Sequence, residues 1–323
     1  MTNLTNNPKK QTPTMRKETL FEMKSPTRDD FQIQGYWFGE GEKTVAIVGA
    51  MRGDEIQQQY ICARLVDRLA RIERRGQLAP GQRVLVIPSC NPFSMNVGRR
   101  FWTMDGTDIN RMFPGYDKGE TTQRIAAALF SLLQDFRYGL QLASFYMPGE
   151  FVPHVRMLDT GYEDVEVARL FGLPFVTTRV PRPFDTTLLN YNWQLWGVKA
   201  FSIYAGQTNF VEDSTSDLTI DAILRFLQKM GVTDSHVLRA GYESVLLREE
   251  ELAHVTAHRA GIFYRLRGAG AHVHEGDVLA RILDPYDASV REEVCSPVEG
   301  TIFFAHNRPL ALEHALIYRI VRA

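Results

Sequence analysis

TVAIVGAMRGDEIQQQYICARLVDRLARIERRGQLAPGQRVLVIP, residues 44–88, is the stretch that decides the fold. Residues 44–51 are apolar and rich in β-branched side chains, and they end at a glycine-containing turn, the pattern of a buried strand. Over residues 56–75 the apolar side chains Ile56, Tyr60, Ile61, Leu65, Leu69 and Ile72 recur at helical spacing with Arg, Asp and Glu between them. Gly76 stands where such a helix should stop. Residues 83–88 read as a second strand. A strand, a helix and a strand in so short a span imply a right-handed crossover and a parallel pair.

The alternation continues outward. Residues 121–136, 163–171, 186–196 and 218–230 carry helical periodicity, whereas 138–146, 175–179 and 200–204 are extended and apolar. The fold class this predicts is α/β, with a mixed, largely parallel sheet covered by helices on both faces. In such sheets ligand sites gather at the carboxyl ends of the strands. After Gly231 the texture changes to short alternating runs punctuated by Gly and Asp, at 261–267, 272–274, 277–283, 300–305 and 315–321. These predict a small all-β unit. The text EGDVLARILDPYD, followed by CSPVEGTIFFA, is similar to a lipoyl-like barrel-sandwich. Lipoyl and biotinyl domains carry their cofactor on a lysine, and residues 240–323 contain none. The expected organisation is a polar, disordered lead-in over 1–25, an α/β domain over 26–235 and a barrel-sandwich domain over 236–323.

The composition, 44% hydrophobic and 23% charged, suits a soluble globular chain with ample core. A formal net charge of −1 gives no bulk electrostatic reason to expect nucleic acid or an anionic membrane as partner. No apolar run approaches the roughly 18 residues of a membrane span. The first 25 residues lack the apolar segment of a secretory signal. Cys62, Cys90 and Cys295 are widely separated, with no CxxC pair, and are expected to be buried, reduced thiols of a cytoplasmic protein.

Four stretches carry more specific information. They are GAMRGDE (49–55), NPFSMNVGRRFWTMDGTDINRMFPG (91–115), YGLQLASFYMPGEFVPHVR (138–156) and VKAFSIYAG (198–206). In this order, and with the β-rich tail, they resemble the succinylglutamate desuccinylase/aspartoacylase family, whose catalytic domain is similar to zinc carboxypeptidases. The DINRMFPG segment matches that family's Asp-Leu-Asn-Arg-x-Phe-Pro-Gly text most closely. The resemblance implies a deacylase fold in which two His and one Glu hold zinc, a second Glu is the general base, and arginines hold the carboxylates of an N-acyl amino acid.

Carried over residue by residue, little of that chemistry survives. Arg52 stands at the first zinc His and Glu55 at the Glu ligand, while Ala143 replaces the second His, with Gln141 for its orienting Asp. Tyr204 occupies the position of the catalytic Glu. The histidine count agrees independently, because only His154 precedes residue 236. Among the later ones, His254 and His258 fall on an extended run, where four residues span about 13 Å. His272 and His274 could share a face. All four are expected to be surface residues. Arg52 is expected to pair with Glu55 and fill the metal's space, since a guanidinium cannot bind a cation. What the resemblance leaves intact is an anion-binding set, Arg100, Asn110 and Arg111.

The sequence therefore predicts a degenerate metal site in a pseudoenzyme that binds a small carboxylated ligand or pairs with a partner such as an active paralogue, as a possible homo- or hetero-oligomer. No cofactor is expected. The alternative is an active amidohydrolase with a rearranged or non-zinc site recruiting Asp54, Glu55, Asp105, His154 or Tyr204. Zinc would then return as the cofactor if the site is not degenerate. Cys62 or Cys90 with His154 as base has no support in the spacing, and no Gly-x-Ser-x-Gly, Walker or HExxH motif is present.

Overall fold

The computed structural model describes residues 15–323. The chain runs β1 (Arg16–Met23), β2 (Phe31–Phe38), β3 (Glu42–Ala50), α1 (Ile56–Arg74), β4 (Gln82–Ser89), α2 (Pro92–Asn96), α3 (Thr121–Leu133), β5 (Tyr138–Leu142) and β6 (Gly149–Leu158). It continues through α4 (Val165–Arg169), β7 (Phe175–Arg179), α5 (Leu189–Leu195), β8 (Lys199–Gly206), α6 (Asp213–Lys229) and β9 (Val245–Arg248). The C-terminal part is all β: β10 (Ala253–Thr256), β11 (Gly261–Arg265), β12 (His272–Val273), β13 (Val278–Leu283), β14 (Val290–Cys295), β15 (Gly300–His306), β16 (Leu310–Ala311) and β17 (Leu316–Arg322).

β3, β4, β5 and β8 form a parallel core, as the apolar runs require, because a strand covered on both faces has no polar face to show. One face is covered by α1 and α6, with Ile61, Leu65, Leu69, Ile223 and Phe226 in its cluster. The other is covered by α3 and α5, with Ile125, Leu129, Leu133 and Trp193. α1 follows β3 as expected, and Gly76 beyond its end takes a positive φ of 68°.

The largest sheet has 13 strands in the order β1-β2-β4-β3-β5-β8-β6-β15-β17-β10, with β7 and β9 extending it from β6 and β12 from β15. The smaller one is β14-β13-β11-β16. The C-terminal strands are thus hydrogen-bonded into the α/β sheet through β15 on β6 and β9 on β7. Phe145, Phe151, Phe303 and Phe304 pack at this junction. That continuity carries side chains of the last third of the chain into the site described below. Among the described residues no helix is long and apolar enough to cross a membrane.

Two expectations are corrected. The lead-in expected over 1–25 is ordered from Arg16, where β1 pairs antiparallel with β2 and Leu20, Phe21 and Met23 pack on the core; residues 1–14 lie outside the described residues. β1 is an edge strand whose solvent-facing positions carry Arg, Lys and Glu, which masks its pattern. Cys62 and Cys90 are buried, but Cys295 is exposed on β14.

Candidate functional site

The turn from β3 into α1 builds one wall of the site. Gly53 is needed there, because a Cβ would come within 2.3 Å of the Arg99 carbonyl oxygen. The tight turn lets Glu55, which is 0% exposed, fold back on its own backbone: Oε2 accepts from the N–H groups of Met51 (2.8 Å) and Arg52 (3.1 Å). Oε1 accepts from Arg52 Nη1 (3.1 Å) and from the Ser144 hydroxyl. All of the carboxylate's capacity is used by these four donors.

Arg52, 6% exposed, is held equally firmly. Its Nε and Nη2 bind Asp108 at 3.1 and 2.9 Å in a bidentate pair, and Nη1 also reaches Ser144 Oγ at 3.2 Å. Burial by itself would lower the Arg52 pKa, but the charges of Asp108 and Glu55 outweigh it and raise the value above its ordinary one. Asp108 was not singled out from the sequence, although it precedes the Asn110-Arg111 pair by only two residues. Its carboxylate also accepts from the Asn110 N–H at 3.1 Å, so a single side chain caps the short 3-10 turn Ile109–Arg111 and clamps Arg52.

Behind this cluster runs a neutral chain of amides. Gln141 donates to Asn110 Oδ1 (3.0 Å), and Asn190 donates to Gln141 Oε1 and Ser202 Oγ (both 2.7 Å). Ala143 places only a methyl group on the cavity wall, and its carbonyl oxygen accepts from Gln58 Nε2 at 3.1 Å.

The opposite wall was not legible in the sequence. Arg156 on β6 and Arg319 on β17 both donate to Glu249, and Arg179 Nε lies 3.3 Å from the same carboxylate. Arg179 Nη1 pairs with Asp185 at 2.7 Å. Burial pushes the Glu249 pKa up, but the Arg156 and Arg319 charges overcome this and hold it down at about 2. Burial likewise pushes the Asp185 pKa up, but the Arg179 guanidinium and the Arg182 N–H overcome this and hold it below its usual range.

These walls enclose a cavity of about 570 Å³ lined by six arginines (Arg52, Arg111, Arg156, Arg179, Arg182 and Arg319) and two carboxylates, Asp185 and Glu249. Asp108 and Glu55 stand just behind Arg52. Cations remain in excess. At the rim, Arg111 and Arg182 flank Phe184, each within 6 Å of its ring centroid. Arg111 donates to the Phe184 carbonyl oxygen (2.9 Å) and stands 3.7 Å from Asp108, leaving donors free. The Arg182 guanidinium is exposed and has no acceptor among the described residues.

Of the three residues expected to bind an anion, Asn110 and Arg111 line this cavity. Arg100 does not. Asp54 holds its Nη1 at 3.0 Å, while Ser144 Oγ and the Phe145 carbonyl oxygen hold its Nη2, so it lines a separate cavity of about 260 Å³. Tyr204 lines the main cavity, accepts from Arg156 Nη1 at 3.3 Å and stacks on His154 with ring planes 6° apart. His154 is buried, with Nδ1 2.8 Å from the Val152 carbonyl oxygen, and burial pushes its pKa down to about 3. It is a neutral packing residue. Burial pushes the thiols of Cys62 and Cys90 up, away from a nucleophile's range. Asp105 is exposed and accepts from the Thr107 N–H, closing a local turn.

A sequence model of the succinylglutamate desuccinylase/aspartoacylase catalytic domain matches residues 41–145. The chain is similar to the N-alpha-acetyl-L-2,4-diaminobutyric acid deacetylase of Halomonas elongata, with 25% identity over 257 residues, covering 76% of this chain and 72% of the relative. Among solved structures it is similar to the product-bound ectoine utilization protein EutE (DoeB) from Ruegeria pomeroyi, with TM-score 0.79, 18% identity, and 97% and 98% of the two chains covered. A succinylglutamate desuccinylase/aspartoacylase from Rhodobacter sphaeroides gives TM-score 0.75 and 20% identity over 91% and 89%.

Proposed function

From the premise that this chain is a divergent relative of the succinylglutamate desuccinylase/aspartoacylase family, a family of deacylases, in its fold and its catalytic-domain signature, we propose that it is a non-hydrolytic member. It binds a small carboxylated ligand in the arginine-lined cavity and does not hold zinc in its α/β domain.

One observation carries this reading. The Arg52 guanidinium is bound simultaneously by Glu55, Asp108 and Ser144, at the place where the resemblance puts a zinc-binding histidine. A zinc site needs deprotonated N, S or O donors with lone pairs to give. Guanidinium offers none, Ala143 offers none, and Glu55 already accepts four hydrogen bonds. These residues do not fit the ion, and no hydrolytic step is derived through it. The positive charge that zinc would contribute is supplied instead by Arg52.

The carboxylate preference rests on the rim. Arg111 and Arg182 present guanidinium donors to incoming ligand, and paired N–H donors match a carboxylate's two oxygens. Phe145, Tyr146, Met157, Leu158, Phe184 and Leu188 supply apolar wall for the remainder of a small acyl or amino-acid ligand.

The test is titration calorimetry with N-acetyl-L-aspartate and N-succinyl-L-glutamate, with hydrolysis followed in parallel with and without added zinc. Binding without turnover is the expected result. Arg111→Ala/Arg182→Ala should weaken binding about 10- to 100-fold, the worth of one or two charge-assisted hydrogen bonds. Turnover that is lost on substituting Asp54 or Glu55 would instead establish the rearranged-site enzyme.

A further inference from the structure

We propose that the β-rich C-terminal part carries a divalent transition-metal site formed by His272, His274 and Glu299, which shares no residue with the arginine-lined cavity. This is the one group of three histidine, cysteine or carboxylate ligand atoms that comes together among the described residues, all within 4.8 Å of one another.

Alternate residues of a strand face the same way. Val273, 0% exposed, points into the core of the small domain, so His272 and His274 on either side must both point out. β12 pairs with β15 in the register His272↔Thr301 and Val273↔Gly300, which sets Glu299, just ahead of β15, across from His274. The Glu299 Oε1 atom lies 3.5 Å from His272 Nε2 and 3.4 Å from His274 Nδ1, and the two rings are nearly perpendicular at 88°. Those separations lie at the long limit of a hydrogen bond. They match the edge of a tetrahedron around zinc, because ligand bonds of about 2.0–2.1 Å set neighbouring ligand atoms about 3.3–3.4 Å apart.

The backbone beneath these side chains is fixed. A Cβ on Gly300 would meet the Val321 carbonyl oxygen at 1.9 Å, so β15 lies tight on β17 at this end. The Glu299 carbonyl oxygen accepts from the Ala323 N–H at 3.1 Å, and the His274 N–H donates to Asp277 Oδ2 at 2.9 Å. The three side chains are each more than half exposed, so they bind without being dragged out of water and leave positions open to solvent. Two imidazoles and one carboxylate suit Zn²⁺, Ni²⁺ or Cu²⁺, whereas Mg²⁺ and Ca²⁺ take all-oxygen sets.

The test is equilibrium dialysis of untagged, full-length protein against zinc chloride, with metal measured after removal of the free ion. The expected result is about one equivalent for the wild type. That equivalent is lost in His274→Ala and in His272→Ala/His274→Ala, while the circular dichroism is unchanged because both rings are exposed. Excess magnesium does not compete. Absence of zinc from the wild type overturns this site alone and leaves the proposed function standing. Zinc held equally by the double variant overturns it and places the ion elsewhere, which counts against the proposed function as well.

Discussion

Arg52→Met lowers the free energy of unfolding by about 3–5 kcal/mol, the scale expected when one partner of a buried charge pair is removed. The side chains of Glu55 and Asp108 are 1% and 11% exposed, and Arg52 is the cation that both of them share. Methionine fills most of the volume but leaves Glu55 without a counter-charge and Asp108 with only Arg111, 3.7 Å away. Against a typical total of about 5–15 kcal/mol, the loss is large enough to move the urea midpoint well below that of the wild type. Urea titration of the variant beside the wild type measures the deficit. A deficit below about 1 kcal/mol, the scale of an exposed pair, would mean that Arg52 is not the central counter-ion.

Glu249→Gln produces the second large effect on the opposite wall. Arg156, Arg179 and Arg319, whose side chains are 12%, 10% and 8% exposed, converge on that one carboxylate. Removing its charge leaves Asp185 alone to offset them, through Arg179, and should again cost about 3–5 kcal/mol. An external dicarboxylate can replace part of what is lost. Succinate should raise the melting temperature of Glu249→Gln more than that of the wild type, and equal shifts in both would contradict the arrangement. The wild type carries the corresponding acid limb. With Glu249 held at about 2 in the fold against an ordinary value of 4.5, its contribution is fully present above pH 4.5. It is lost as pH falls from there towards 2, because the unfolded chain binds the proton first. The difference in stability between wild type and Glu249→Gln should shrink across that window.

The two walls differ in how far they could be read from the chain. Arg52 and Glu55 are three residues apart on one turn, so local geometry alone could bring them together. Asp108, the residue that completes the clamp, lies 56 residues from Arg52 and is joined to it by packing. Arg156 and Arg319 stand 93 and 70 residues from Glu249, and their meeting depends on β6, β15 and β17 forming one sheet. No periodicity in the text PHVRML or LIYRI signals that. The same holds at the C-terminal histidines. Their shared face follows from i, i+2 spacing, but Glu299 joins them only through the β12–β15 register.

The elements show a parallel division. β3, β4 and β7 were legible because apolar runs mark buried strands, and α1 because its apolar stripe marks the one face it buries on the sheet. α6 begins at Asp213, ahead of the residues 218–230 expected from apolar spacing, because its first turn is polar, with even the buried Ser216 held by a hydrogen bond from Gln57 rather than by apolar contact. The helix expected over 186–196 starts at Leu189, after a 3-10 turn at Pro183–Asp185 that holds Asp185 beside Arg179. β5 stops at Leu142 rather than running to Tyr146, and this leaves Ser144 free to turn towards Arg52, Glu55 and Arg100.

The central claim is that the α/β domain has exchanged a metal for an arginine. Metal content measured on His272→Ala/His274→Ala tests it most directly, because that background removes the one other place where zinc is expected to bind. Protein purified without chelator, exposed to zinc and dialysed should retain less than about a tenth of an equivalent. Close to one equivalent, displaced by Glu55→Gln, would show that Arg52 swings away to admit the ion and would contradict the account.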